Sequence, residues 1–101
     1  MKFEQLQQLV KVWADNKDLL VAGNVSKQFL KVIEEVGELS SGIAKNDMPE
    51  IEDAMGDTLV TLIILSEQLG IDPVICLAKA YAVISKRTGK TIDGVFVKDS
   101  E

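Results

Sequence analysis

The sequence predicts an all-α, four-helix bundle-like protomer. Three observations predict it. Apolar residues recur at helical spacing in four separate stretches. Helix stop and start signals punctuate those stretches at Asn46-Asp47-Met48-Pro49 and at Gly70-Ile71-Asp72-Pro73. The third stretch is apolar almost all round, as in a helix surrounded by others. The chain has 101 residues, 47 % apolar and 27 % charged, with seven glycines and two prolines. That composition suits one globular domain with one modest core, spanning 1–101 with 91–101 as a C-terminal tail.

Phe3, Leu6, Leu9, Val10 and Trp13 give the first amphipathic helix, over about Lys2 to Asn16. A looser connection follows to Asn24. Asn24 or Ser26 caps a second helix that carries Phe29, Leu30, Ile33, Val36, Leu39 and Ile43 toward a core and ends near Lys45. Asp47 is the N-cap of the third helix, Glu50 completes a capping box, and Pro49 sits in the first turn where its missing N–H costs little. Gly70 stops that helix after Leu69. Its second half, Leu59-Val60-Thr61-Leu62-Ile63-Ile64-Leu65, is too apolar for a chain this short to surround. A second copy related by two-fold symmetry would cover it, so a homo-oligomer is expected, either a dimer or a dimer of dimers. Asp72 and Pro73 open a fourth helix with Ile75, Leu77, Ala78, Tyr81 and Ile84 as its buried set, fading near Lys86-Arg87. The tail, with Gly94-Val95-Phe96-Val97, reads as a packed extension or a short strand.

Composition excludes several functions. The net charge is −5. Duplex binding rests on neutralising phosphates with Lys and Arg, so no nucleic-acid partner is expected. There is no histidine, which rules out Ser-His-Asp catalysis and His-ligated zinc. The one cysteine, Cys76, allows no intrachain disulfide and reads as a small buried residue. Residues 1–16 lack the apolar run of a secretory leader, and no stretch of about 18 apolar residues occurs. A cytoplasmic setting without a membrane partner is expected.

Two acidic clusters carry the chemistry. The first is Glu34-Glu35-Val36-Gly37-Glu38; the second is Glu52-Asp53-Ala54-Met55-Gly56-Asp57. Residues three or four apart share a helix face, so Glu34, Glu35 and Glu38 are neighbours, as are Asp53 and Asp57. At about 1.5 Å per residue, Glu38 lies roughly 13 Å and Asp57 roughly 15 Å from the turn between the helices. Antiparallel packing brings them level. Solvated helix faces normally mix charge signs. Here Lys and Arg are absent from Val32–Ala44, and from Asn46–Ser85 except for Lys79. Clustered carboxylates repel and are costly to desolvate, so they call for a cation, and oxygen-only donors favour Mg²⁺, Mn²⁺ or Ca²⁺. Gly37 and Gly56 adjoin the acids, as a close helix approach or room for a ligand would require.

At these residues the chain resembles the MazG-like all-α nucleoside triphosphate pyrophosphatases, whose pattern is Glu-Glu-x-x-Glu, a spacer, then Glu-x-x-Asp. Glu34-Glu35-Val36-Gly37-Glu38 fits the first element, and Asp57-Thr58-Leu59-Val60 resembles the end of the second element and the residues just after it. Gln28 and Lys31 also stand where such proteins often carry these types. The resemblance runs from about Ser26 to Val97. Two positions depart from it. Ala54 occupies the expected second-element glutamate, with Asp53 one residue earlier, and Ala82 stands where relatives often have Asn or Asp.

The resemblance implies Mg²⁺-dependent (Mn²⁺ possible) cleavage of nucleoside triphosphates to monophosphate and pyrophosphate, for house-cleaning or control of a deoxynucleotide pool. It implies Glu35, Glu38 and Asp57 as principal metal ligands with Asp53 as a fourth, and Glu34 as the group that orients or deprotonates the attacking water. Lys31, Lys79 and Arg87 are the preferred cations for phosphates. Trp13 or Phe29 can stack on the base, although both lie on apolar faces where core packing is the first expectation. A non-catalytic helical dimerisation or regulatory module would explain the apolar third helix equally well but not the acids. A Ca²⁺-binding protein fits less well, because no Asp-x-Asp-x-Asp-Gly loop is present.

Overall fold

A computed structural model describes residues 1–99; Ser100 and Glu101 of the tail expected over 91–101 lie outside the described residues. Its centre is a helical hairpin. Helix α2 (Val25–Lys45) is closed by Asn46, which takes a left-handed conformation (φ 56°), and α3 (Met48–Leu69) begins two residues later. Asp47 Oδ1 accepts the backbone N–H of Glu50 at 3.2 Å, so the expected N-cap forms. The reciprocal half of the capping box does not. The Asp47 N–H donates instead to the Gly42 carbonyl, and the Glu50 carboxylate lies 3.6 Å from Lys45 Nζ. Gly70 (φ 71°) stops α3 as predicted.

Helix α1 (Phe3–Asn16) packs on α3 through Ala14, which is fully buried. A 3₁₀ turn at Ala22–Asn24 leads into α2. Helix α4 (Pro73–Ile84) starts at Asp72, whose Oδ1 accepts the Val74 N–H at 2.9 Å. It turns by 100° from α3 and touches it little. The tail forms an antiparallel hairpin, β1 (Gly89–Ile92) on β2 (Val95–Lys98), closed by Asp93-Gly94, both at positive φ. Asp-Gly is favoured in such two-residue turns. The fold is otherwise all-α. No single helix among the described residues is long and apolar enough to cross a membrane.

The helices are those the sequence predicts, but their buried faces differ. The core is small: Ala14, Val32, Ala54, Ile63 and Ile64. On α2 the residues turned toward α3 are Gln28, Val32, Glu35, Leu39 and Gly42, at the alternating four- and three-residue spacing of a coiled-coil contact. The expected apolar set Phe29, Leu30, Ile33, Val36 and Ile43 is exposed. So is the expected set of α4, with Leu77 at 70 %, and so are Leu59 and Leu62 of α3. Cys76 is exposed rather than buried. The physical reason is that α4 lies off the bundle, so a three-helix arrangement must choose one apolar face of α2 and leave the other outside. The radius of gyration, 16.3 Å, exceeds the roughly 13 Å of a compact chain of this length.

Candidate active site

The acids converge on the α2–α3 contact. Carboxylate oxygens of Glu34, Glu35 and Glu38 all lie within 4.8 Å of one another. Glu35 is the inner member. It is half-buried, and its Oε2 is covered with no donor in reach. Its pKa is raised above the ordinary carboxyl value, first by desolvation, then by the charges of Glu38, Asp57 and Glu34, and by a hydrogen bond shared with Glu38. Asp57 of α3 lines the same groove as Glu35, so this member of the second acidic cluster stands level with the first. Glu34 lies at the exposed edge, 3.5 Å from Lys31 Nζ.

A groove of about 440 Å³ runs from the acids along α2 and α3 to the 3₁₀ turn, a volume suited to a small ligand. Its acidic end is lined by Glu35 and Asp57, with Lys31 one turn away and Lys27 a further turn along α2, level with Gln28. Its far end is lined by Trp13, Leu19, Asn24 and Gln68, and Gln28 and Thr61 lie between. Trp13, expected at the substrate, is there and half-exposed. Lys79 and Arg87 are exposed on α4 and just beyond it and do not line the groove. Sequence reasoning missed Lys27, Asn24 and Gln68 as lining residues, and noted Gln28 without a role. The signal was present in the spacing. Lys27, Lys31 and Glu35 are four apart, and Gln68 follows Asp57 by three helical turns.

Asp53 is exposed, one turn nearer the interhelical loop than Asp57, and does not line the groove. Ala54, the departure from the Glu-x-x-Asp pattern, is 1 % exposed. That position is a packing contact here, and a glutamate there would have to be fitted between the helices. Gly37 and Gly56 have open space where a Cβ would stand, so neither marks a close approach within the protomer. The close approach is at Gly42, where a Cβ would stand 3.1 Å from Ile51 Cγ1 and 3.2 Å from Ile51 N.

A divalent cation fits the donor set. Glu35 Oε2 has no donor, the cluster is all carboxylate, and like charges crowd an oxygen-only site.

The sequence comparisons agree with this geometry. The chain belongs to the MazG nucleotide pyrophosphohydrolase domain family, whose model matches residues 25–91. The match covers the helical hairpin, all of the acids and α4. The chain is also 45 % identical, over 73 residues, to an uncharacterized 18.2 kDa protein in the rep-hol intergenic region of Haemophilus phage HP1 (strain HP1c1). That match covers 69 % of this chain and 45 % of the phage protein, so the chain spans about half the length of that relative. No solved structure matches.

Proposed function

We propose that the chain is a Mg²⁺-dependent pyrophosphohydrolase, with Mn²⁺ as the alternative ion, that cleaves nucleoside or deoxynucleoside triphosphates to monophosphate and pyrophosphate. The observation that carries this reading is the covered, unpartnered Oε2 of Glu35. It lies in an all-acid cluster at one end of a groove whose other end is apolar and amide-lined.

Glu35, Glu38 and Asp57 would hold the cation, with Asp53 one turn away as an outer carboxylate. Bound there, a divalent ion makes a coordinated water more acidic and offsets charge on the phosphate oxygens. Lys31 and Lys27 take phosphate oxygens at the groove wall. Glu34, at the exposed edge, accepts a proton from the attacking water. The water oxygen bonds to one of the two phosphorus atoms flanking the α–β bridge, the bridge opens, and monophosphate and pyrophosphate leave. Trp13 offers its ring to the base. House-cleaning of nucleotides or control of a deoxynucleotide pool, in the cytoplasm, are the settings this activity serves.

The reading includes a homo-oligomer, a dimer or a dimer of dimers. The accessible surface is 7714 Å². A compact protein of 11.1 kDa exposes about 5,700 Å². The excess of roughly 2,000 Å² per protomer is on the scale of an obligate interface. Exposed apolar side chains on all four helices and on the hairpin contribute to it. Lys79 and Arg87, remote from the groove of their own protomer, would then serve phosphates only from a neighbouring copy.

The test is pyrophosphate release from a panel of ribo- and deoxynucleoside triphosphates, with Mg²⁺ and with a chelator, for the wild type and Glu38→Gln. Metal-dependent release that the substitution abolishes, in a protein that still folds, supports the enzyme. Silence across the panel from folded wild-type protein sinks it and favours a non-catalytic helical module.

A further inference from the structure

We propose that Gln68 reads the base, and that the groove selects nucleotides whose base carries an amino group at the position farthest from the sugar, cytosine or adenine. This rests on the nucleotide reading of the groove and gives it a substrate class.

The Gln68 side chain has a fixed orientation. Its Nε2 donates to the Leu19 carbonyl at 2.7 Å. A carbonyl only accepts, so the amide cannot be reversed without setting two acceptors against each other. Gln68 Oε1 is therefore the free end, and it is covered with no donor in reach. A covered acceptor without a partner is unfavourable, and such groups in folded proteins call for a reason. Gln28 repeats the arrangement, with its Nε2 donating to the Thr61 carbonyl at 3.1 Å. Both amides of the groove wall spend their amino ends on the backbone and keep acceptors. Along this stretch the two amides leave acceptors for a ligand group that donates, while Lys27 and Lys31 of the same groove supply donors.

Position along the groove says which part of the ligand. Gln68 comes after Asp57 by eleven residues on one helix, about 16 Å along its axis. A nucleotide with its phosphates at Glu35 and Asp57 brings its sugar past Gln28 and its base to Gln68, beside the Trp13 ring. The outermost atom of the base edge is the substituent at C4 of a pyrimidine or C6 of a purine. In cytosine and adenine it is an amine, which donates to Gln68 Oε1 once the side chains that cover this oxygen move aside. In uracil, thymine, guanine and hypoxanthine it is a carbonyl oxygen, which faces that acceptor with like polarity. Sites that hydrogen-bond a substrate group reject analogues that cannot make the bond far more strongly than apolar pockets do.

The experiment compares pairs that differ at this one group: dCTP with dUTP, and dATP with dITP. It measures kcat/KM for pyrophosphate release, and affinity for the non-hydrolysable α,β-imido analogues of dCTP and dUTP. The expected wild-type result is a preference of tenfold or more for the amino partner of at least one pair in kcat/KM, and for the dCTP analogue in affinity where the preferred pair is dCTP and dUTP. Gln68→Leu, checked for folding by thermal melting, should bring that ratio near one. A wild type that prefers the oxo partner, or shows no preference, overturns the proposal without needing the variant. So does a folded Gln68→Leu that keeps the full ratio. Turnover without discrimination refutes this proposal alone. Discriminating affinity without turnover sustains it and refutes the enzyme. Loss of all binding refutes both.

Discussion

Replacing Glu35 with Gln should make the metal-free protein more stable while abolishing its response to Mg²⁺. In the folded chain, carboxylate oxygens of Glu34, Glu35 and Glu38 lie within 4.8 Å of one another. Two unit charges at that distance repel by about 0.9 kcal/mol in a water-like dielectric. Glu35 takes part in two such pairs, and Asp57 adds to its load from α3. Neutralising it relieves about 1–2 kcal/mol. The amide is nearly the same shape and can still bond Glu38. For a chain of this size each kcal/mol moves the melting midpoint by roughly 4–8 °C.

The pH dependence has a definite sign. The Glu35 pKa is raised in the folded state, so the unfolded chain loses this proton first as pH rises. Between the two values the folded state holds more protons, and metal-free stability falls as pH climbs through that window. The wild type with chelator should show this fall, and Glu35→Gln should lose it. Mg²⁺ competes with the same proton, so the Mg²⁺-induced rise of the wild-type midpoint should grow across the same window. The assay is thermal unfolding at fixed protomer concentration with chelator or Mg²⁺, because association also shifts the midpoint. A Glu35→Gln midpoint below wild type in chelator, or one that still rises with Mg²⁺, refutes the reasoning.

Two further substitution sets probe packing and assembly. Gly42→Ala places a methyl 3.1–3.3 Å from Ile51 and Glu50 atoms; overpacking of about 1–3 kcal/mol outweighs the helix-propensity gain of about 1 kcal/mol, so urea unfolding should show a net loss. Gly37→Ala and Gly56→Ala meet no atom within 4 Å and should each gain about 0.5–1 kcal/mol; a loss at either would put another protomer's atoms against it. Leu77→Glu, at a residue 70 % exposed in the protomer, should lower the mass measured by sedimentation if α4 joins the copies; an unchanged mass removes α4 from the interface.

The local signals of the fold were legible because each is settled within a few residues. Asp47 and Pro49 open α3, Gly70 closes it, and Asp72-Pro73 restarts the chain as α4, all as read from the sequence. Which face of a helix turns inward is not a local property. Phe29, Ile33, Val36 and Ile43 make the more apolar face of α2, yet α3 meets Gln28, Val32, Glu35, Leu39 and Gly42. Gly42 fits this choice, since there α3 comes within contact of the α2 backbone. The same choice draws Glu35 into the contact and shields its Oε2 from any donor. Gln68 was missed for a related reason: its orientation is set by the Leu19 carbonyl, 49 residues earlier in the chain. Burying a carboxylate and an amide oxygen without partners costs stability, and the apolar faces left outside contribute none within the protomer. The two facts belong together. A helical hairpin that turns polar residues inward to form a groove leaves its best apolar surface outside; in the proposed oligomer, assembly would supply the stability that the groove gives up.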